Sequence, residues 1–186
     1  MDPDSILLLA VVVLMVVMSG YFSATETAFT SLNRIRLKSR AENGDKKAEK
    51  TLAIAEDYDK LLSTILIGNN IVNNVAATLS TLLFIDLVGQ MNGPAVSTLV
   101  LTIVVLIFGE ISPKSLAKES PEAFAMFSAP LLRLFMAVLT PLNYVFGQWK
   151  KLLTRLFHKE QDEGITDEEL VTMVSEAEDQ GGLDKE

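Results

Sequence analysis

Apolar positions gather into three long runs, Ile6 to Met18, Leu61 to Val88 and Pro94 to Phe108, followed by a mixed run from Phe124 to Gln148. An α-helix rises about 1.5 Å per residue, so roughly 20 apolar residues cross a hydrocarbon core of ~30 Å. The pattern predicts an all-α membrane protein. The first run is short, but its helix is expected to continue through Ser19 to Phe29. Ser19, Ser23, Glu26 and Thr30 recur at i, i+4, i+7 and i+11, which makes one polar stripe along the inner half of that helix. Gly20 lies within the stripe and permits a bend or the close approach of another helix. Met1-Asp2-Pro3-Asp4 has no basic residue and no small-x-small site follows Met18, so the segment reads as an uncleaved span rather than a signal peptide.

The second run contains Gly68-Asn69-Asn70-Ile71-Val72-Asn73-Asn74. On a helix, Asn69 and Asn73 share one face, and Asn70 and Asn74 form the adjacent row. An unpaired amide is costly inside a bilayer, so these groups need partners within the protein. The third run, Ala95 to Phe108, is short for a crossing and meets Gly109-Glu110-Ile111-Ser112-Pro113-Lys114. Pro113 removes a helical donor and disfavours helix at Ser112, which predicts a break near Glu110 and backbone carbonyls free to face an ion.

Charge sets the orientation. Eight of the sixteen Lys and Arg residues fall between Asn33 and Lys60, whereas the connection from Asp86 to Pro94 has none. The positive-inside rule therefore puts the N-terminus outside and the basic loop in the cytoplasm. Asn43-Gly44-Asp45 predicts a turn between two short cytoplasmic helices. The mixed run carries Pro130, Arg133 and Pro141, and Lys150, Lys151, Arg155 and Lys159 come just after it. A fourth crossing would export that basic cluster, so three spans plus an amphipathic juxtamembrane segment at the inner surface are expected in preference to four spans. The C-terminus is then cytoplasmic.

The formal charge of −8 averages two regions: residues 1–159 hold 15 basic and 13 acidic residues, and residues 160–186 hold 1 and 11. The boundary predicts a membrane domain over 1–159 and an acidic cytoplasmic connector over 160–186. Within the connector, Thr166-Asp167-Glu168-Glu169 forms a capping box that opens a helix to about Ala177. Nucleic acid is not an expected partner, because the basic residues are interleaved with acids beside the spans. The chain has no cysteine, which excludes disulfides and thiolate metal sites, and its only histidine, His158, lies beyond the membrane part.

Topology brings the Ser19/Ser23/Glu26 stripe, the asparagine ladder and Gly109-Glu110 to a comparable depth. Hydroxyl, amide, carbonyl and a lone carboxylate are the oxygen ligands that a hard divalent cation accepts. A structural explanation stands beside this one: serines and amides also tie spans together, Lys114 is the obvious counter-ion for Glu110, and Glu26 has Arg34 nearby. An intramembrane serine hydrolase would need Ser23 or Ser112 next to a base. Lys114, two residues from Ser112, is poorly placed for that, so the chain is not read as an enzyme.

The three ordered motifs, Ser19-Gly20-Tyr21-Phe22-Ser23-Ala24-Thr25-Glu26-Thr27-Ala28, Gly68 to Asn74 and Gly109 to Lys114, closely resemble the transmembrane domain of the CorB/CorC and cyclin-M (CNNM) magnesium transporters. The likeness covers residues 5 to about 158. It implies a homodimer in the plasma or inner membrane, three spans per subunit with a juxtamembrane belt, and Mg²⁺ export driven by Na⁺. By this resemblance the ion site would use the Ser23 hydroxyl and carbonyl, the Asn70 side chain, the Gly109 carbonyl and the Glu110 carboxylate. Ser19, Gly20, Glu26 and Asn74 would surround it. From their place in the motifs, Asn69, Asn73, Pro113 and Lys114 are expected around the site or along the pathway, and Pro113 and Gly20 are expected as flexible points because both interrupt helix regularity. Family members continue into paired CBS domains that bind ATP in many cases. The residues from Thr166 resemble the start of that linker, so ATP is expected to act only through domains absent from this sequence.

Overall fold

A computed structural model describes residues 3–157, all of whose regular elements are helical. The acidic helix expected from Thr166 lies outside the described residues. One compact unit runs to Gly147 and a second begins at Gln148; the account below concerns the first.

Helix α1, Pro3–Ser31, continues through the serine stripe as predicted. Two short helices follow, α2 at Arg34–Glu42 and α3 at Lys46–Glu56, separated at Asn43, Gly44 and Asp45. Gly44 takes φ 89°, a conformation that favours glycine. Asn33 caps α2 by accepting the Arg36 N–H at 3.0 Å, and Asp45 caps α3 by accepting those of Lys47 at 3.0 Å and Ala48 at 3.2 Å. The Ala48 N–H and the Arg40 guanidinium hold the Asp45 carboxyl below the usual carboxylate range.

Helix α4, Tyr58–Val88, packs along α1 and buries Leu61, Ile65, Gly68, Val72 and Ala76. Gly89, at φ 92°, begins the turn into α5, Gly93–Val104. A Cβ at Gly93 would lie 2.8 Å from the backbone N and Cα of Ile85, so only glycine lets the two helices meet this closely. Gly93→Ala is expected to cost about 2 kcal/mol as the turn shifts, measurable as a lowered melting temperature in detergent. Further along the same pair, the Ser97 hydroxyl donates to that of Ser80 at 2.9 Å, with both residues buried.

The third span differs from expectation. It does not break at Glu110. It widens into a π-helical segment, Val105–Ile111, and continues as α6, Ser112–Glu119, so that one helix runs over Gly93–Glu119. Pro113 is the physical reason: its missing N–H is absorbed by a shift of hydrogen-bond register, in which the Ser112 N–H reaches five residues back to the Ile107 carbonyl.

By length and apolar composition, four helices qualify as membrane-spanning: Pro3–Ser31, Tyr58–Val88, Gly93–Glu119 and Pro121–Val138. The expectation of three is therefore not reached from length and composition alone. The last of these, α7, Pro121–Val138, has both of its ends near the basic-loop end of the bundle. At its start, Glu122 accepts the Asn33 N–H at 3.3 Å and lies 3.8 Å from Arg36. Just past its end, Asn143, in α8 at Thr140–Phe157, donates to the Thr64 hydroxyl at 2.8 Å, within two turns of the start of α4. In between, the Tyr21 hydroxyl donates to the Ser128 carbonyl at 2.8 Å, and Phe135 packs on Phe22 with ring centroids 5.0 Å apart. Residues from α1, α4 and α7, including Phe22, Leu61 and Leu132, thus form the buried core beneath the crossing of the spans.

Candidate functional site

The site forms where α1 meets α4 and the π-helical segment. Ser19 is fully buried, and its hydroxyl donates to Asn69 Oδ1 at 3.0 Å. Asn73, one turn along α4, donates its amide to the same oxygen at 3.4 Å, so the Asn69/Asn73 face predicted from helical spacing is the one directed at α1. Asn73 Oδ1 is buried and has no hydrogen-bond partner. Asn70 and Asn74 occupy the exposed adjoining row. The Asn70 amide donates to the Leu66 carbonyl at 2.8 Å, which leaves its Oδ1 as the atom for a ligand.

Gly20 brings α1 to backbone contact with the third span. A Cβ there would stand 3.0 Å from the Phe108 carbonyl oxygen and 3.1 Å from Pro113 Cγ. Gly109 completes the crossing, since its Cβ would stand 3.1 Å from Ser19 Oγ. The structure therefore brings together Ser19, Gly20, Asn69, Asn73, Gly109 and Pro113. Ser23 lies one turn below Ser19 on the same stripe, 2 % exposed, with its carbonyl accepting from the Thr27 hydroxyl at 3.1 Å. Glu110 follows Gly109 and is half-buried.

The ion pairs are not those of the structural alternative. Lys114 Nζ lies 3.4 Å from Glu26 Oε2, so Lys114 is not the counter-ion of Glu110, and Glu26 pairs with Lys114 rather than Arg34. The five-residue register of the π-helical segment takes Lys114 out of the i, i+4 alignment that an uninterrupted α-helix would give it with Glu110. Arg34 instead sits over the Tyr58 ring, 5.7 Å from its centroid. Among the described residues, Glu110 has no ion-pair partner.

Reading the sequence misses one candidate oxygen. The Ser112 N–H is taken by Ile107, and the donor five residues after Phe108 is Pro113, which has no N–H. The Phe108 carbonyl is therefore without a helical donor and faces α1 at Gly20. The available signal is a proline five residues downstream, legible only once the π register is known. Among the described residues, no three His, Cys, Asp or Glu side chains form a metal cluster. A cation here would be held by one carboxylate and by neutral oxygens, the donor set of a hard ion.

Comparison with known proteins matches the profile of the cyclin M transmembrane N-terminal domain (CNNM) to residues 9–186. The chain is 37 % identical over 173 residues to a UPF0053 protein of Haemophilus influenzae, covering 91 % of this chain and 41 % of that protein. It is also 37 % identical over 166 residues to the UPF0053 inner membrane protein YfjD of Escherichia coli, covering 87 % and 39 %. A third relative, UPF0053 protein sll0260 of Synechocystis, is 32 % identical over 186 residues, covering 92 % and 42 %. The chain thus spans about two fifths of the length of these relatives. With several long apolar helices and a match over nearly its whole length, this chain belongs to the cyclin M transmembrane N-terminal domain family and is a multi-pass membrane protein.

Proposed function

We propose that this domain transports Mg²⁺ as its cargo, binding the ion largely dehydrated between three spans. The observation that carries the reading is an intramembrane carboxylate, Glu110, with no ion-pair partner among the described residues and two residues along the π-helical segment from the donorless Phe108 carbonyl, while the neighbouring cation, Lys114, is engaged by Glu26. Such a carboxylate is a functional group by default. Mg²⁺ takes six oxygens at about 2.0–2.1 Å and gives up water reluctantly, so a cage must offer carbonyls and hydroxyls in place of hydration. Ser23, Asn70, Gly109 and Glu110 are the proposed ligands, with Ser19, Asn69 and Asn73 fixing the distance between α1 and α4.

The domain is proposed to have three spans, with α7 as a belt at the inner surface. Both ends of α7 are tied near the basic loop, its 18 residues reach only about 27 Å, and Arg133 is exposed near its middle. The orientation proposed is N-terminus outside and C-terminus cytoplasmic, in a plasma or inner membrane. A homodimer, efflux coupled to Na⁺, and ATP acting only through CBS domains outside this sequence complete the proposal.

A second reading, a membrane scaffold or Mg²⁺ sensor, is favoured by the Ser19–Asn69 bond, which by itself only joins two helices. Flux separates the two. The full chain reconstituted in liposomes with a Mg²⁺-sensitive dye is expected to give Mg²⁺ flux above protein-free vesicles and little Ca²⁺ flux. Absence of Mg²⁺ flux in correctly inserted protein would favour the scaffold.

A further inference from the structure

A cavity of about 550 Å³ opens between α1, α4 and the third span, running from Phe108 beside the cation site toward the end of the bundle opposite the basic loop. It runs from Leu9 to Val17 on α1, from Leu87 to Ser80 on α4, and from Val100 to Phe108 on the third span. At 1.5 Å per residue each wall is about 10–12 Å long, close to the depth of one leaflet of a ~30 Å hydrocarbon core. Val13 and Val17, in its wall, are 54 % and 61 % exposed, so the cavity communicates with the bilayer.

Water does not suit this space. Ser80 is the only polar residue of the lining, and its hydroxyl already accepts from Ser97 at 2.9 Å. A buried water needs two to four polar partners. Because the space is open past Val13 and Val17, it is filled by whatever apolar material adjoins it there. The remaining occupant is apolar and comes from the surrounding leaflet. Charge beyond the Leu9 and Leu87 ends of its walls narrows it further. Asp4 and Asp86 lie at that end, both exposed, and no Lys or Arg occurs in residues 1–33 or between Lys60 and Lys114. That rim repels an anionic headgroup and attracts an ammonium.

We propose that the cavity is a lipid site that takes one acyl chain of an amine-bearing phospholipid, such as phosphatidylethanolamine, with its headgroup amine near Asp4 and Asp86. The chain end then rests against Phe108, whose carbonyl borders the cation site. The site is independent of the transport reading, because lipid retention is measured without flux.

The test strips the purified full chain of lipid in detergent and incubates it with equal amounts of phosphatidylethanolamine and phosphatidylglycerol bearing the same acyl chains. Lipid retained after size exclusion is quantified by mass spectrometry. The expected result is about one phosphatidylethanolamine per chain, with phosphatidylglycerol lower by about tenfold, or ~1.4 kcal/mol. Val104→Trp, which fills the cavity, and Val100→Trp, which fills it from the exposed edge, each lower retention by about tenfold. Leu99→Trp, 63 % exposed and outside the lining, leaves it unchanged. Circular dichroism establishes that each variant is folded. Equal retention by all four proteins, or none by the wild type, overturns the site, and equal retention of both lipids overturns the headgroup assignment. Because the chain has no cysteine, Val13→Cys adds a single thiol. Rapid disulfide linking of two copies would show that a second subunit covers the cavity and would also overturn the proposal.

Discussion

Glu110→Gln is expected to lower Mg²⁺ flux and Mg²⁺ affinity by about a hundredfold, or ~2.7 kcal/mol, while leaving the fold intact. Glutamine keeps the volume and one carbonyl oxygen but removes the net negative charge, and in a low-dielectric site that charge dominates the attraction for a divalent ion. The fold tolerates the change because Glu110 has no ion-pair partner among the described residues, so no buried cation is stranded. Flux in liposomes and calorimetric titration with Mg²⁺ measure the effect. Unchanged affinity, in protein with an unchanged melting temperature, would remove Glu110 from the site. A variant that loses flux and stability together would point to a structural role instead.

The largest expected stability change is at Gly68. A Cβ there would fall 2.4 Å from Phe22 Cζ and under 3.0 Å from two further ring atoms. The ring has nowhere to go: Phe22 is 1 % exposed and sits between Tyr21, with centroids 5.4 Å apart, and Phe135 at 5.0 Å. Gly68→Ala is therefore expected to cost about 3 kcal/mol, at the upper end of overpacking effects. For a chain of this size that is a fall of roughly 6–12 °C in melting temperature. Phe22→Leu, mildly destabilising alone, should recover part of the loss when combined with Gly68→Ala. Additive effects of the two substitutions would show that the residues do not press on each other, contrary to the geometry.

Much of this was legible in the sequence because a bilayer imposes strong rules. Apolar run length gave α1 and α4, the basic loop gave an expected orientation, and Asn43-Gly44-Asp45 marked the turn between α2 and α3. The meeting of the serine stripe, the amide ladder and Gly109 also followed from topology alone. What spacing did not decide is rotation about the helix axis. Both asparagine rows satisfy the helical period, and it is the Phe22 ring seated on Gly68 that accompanies the turn of Asn69 and Asn73 toward Ser19. Pro113 announced a lost donor but not its consequence, since a break and a π register both satisfy that loss. The partner of Lys114 depends on the same choice: the pairing with Glu110 that the structural explanation called for is not formed, and Lys114 meets Glu26 instead. For the run after Phe124, composition and charge pulled in opposite directions, and contacts at Asn33 and Thr64, remote in sequence, bear on the question.

The contact at Gly20 has a mechanical consequence. The Phe108 carbonyl meets the main chain of α1 there, with only the rigid Pro113 ring beside it to take up slack, so the two helices engage like gear teeth rather than cushions. A sideways movement of the third span of a few tenths of an ångström cannot be absorbed at that point and must be handed on to α1. Tyr21 and Phe22 follow directly on α1, and they carry the contacts that seat α7, so α7 registers such a displacement along its length.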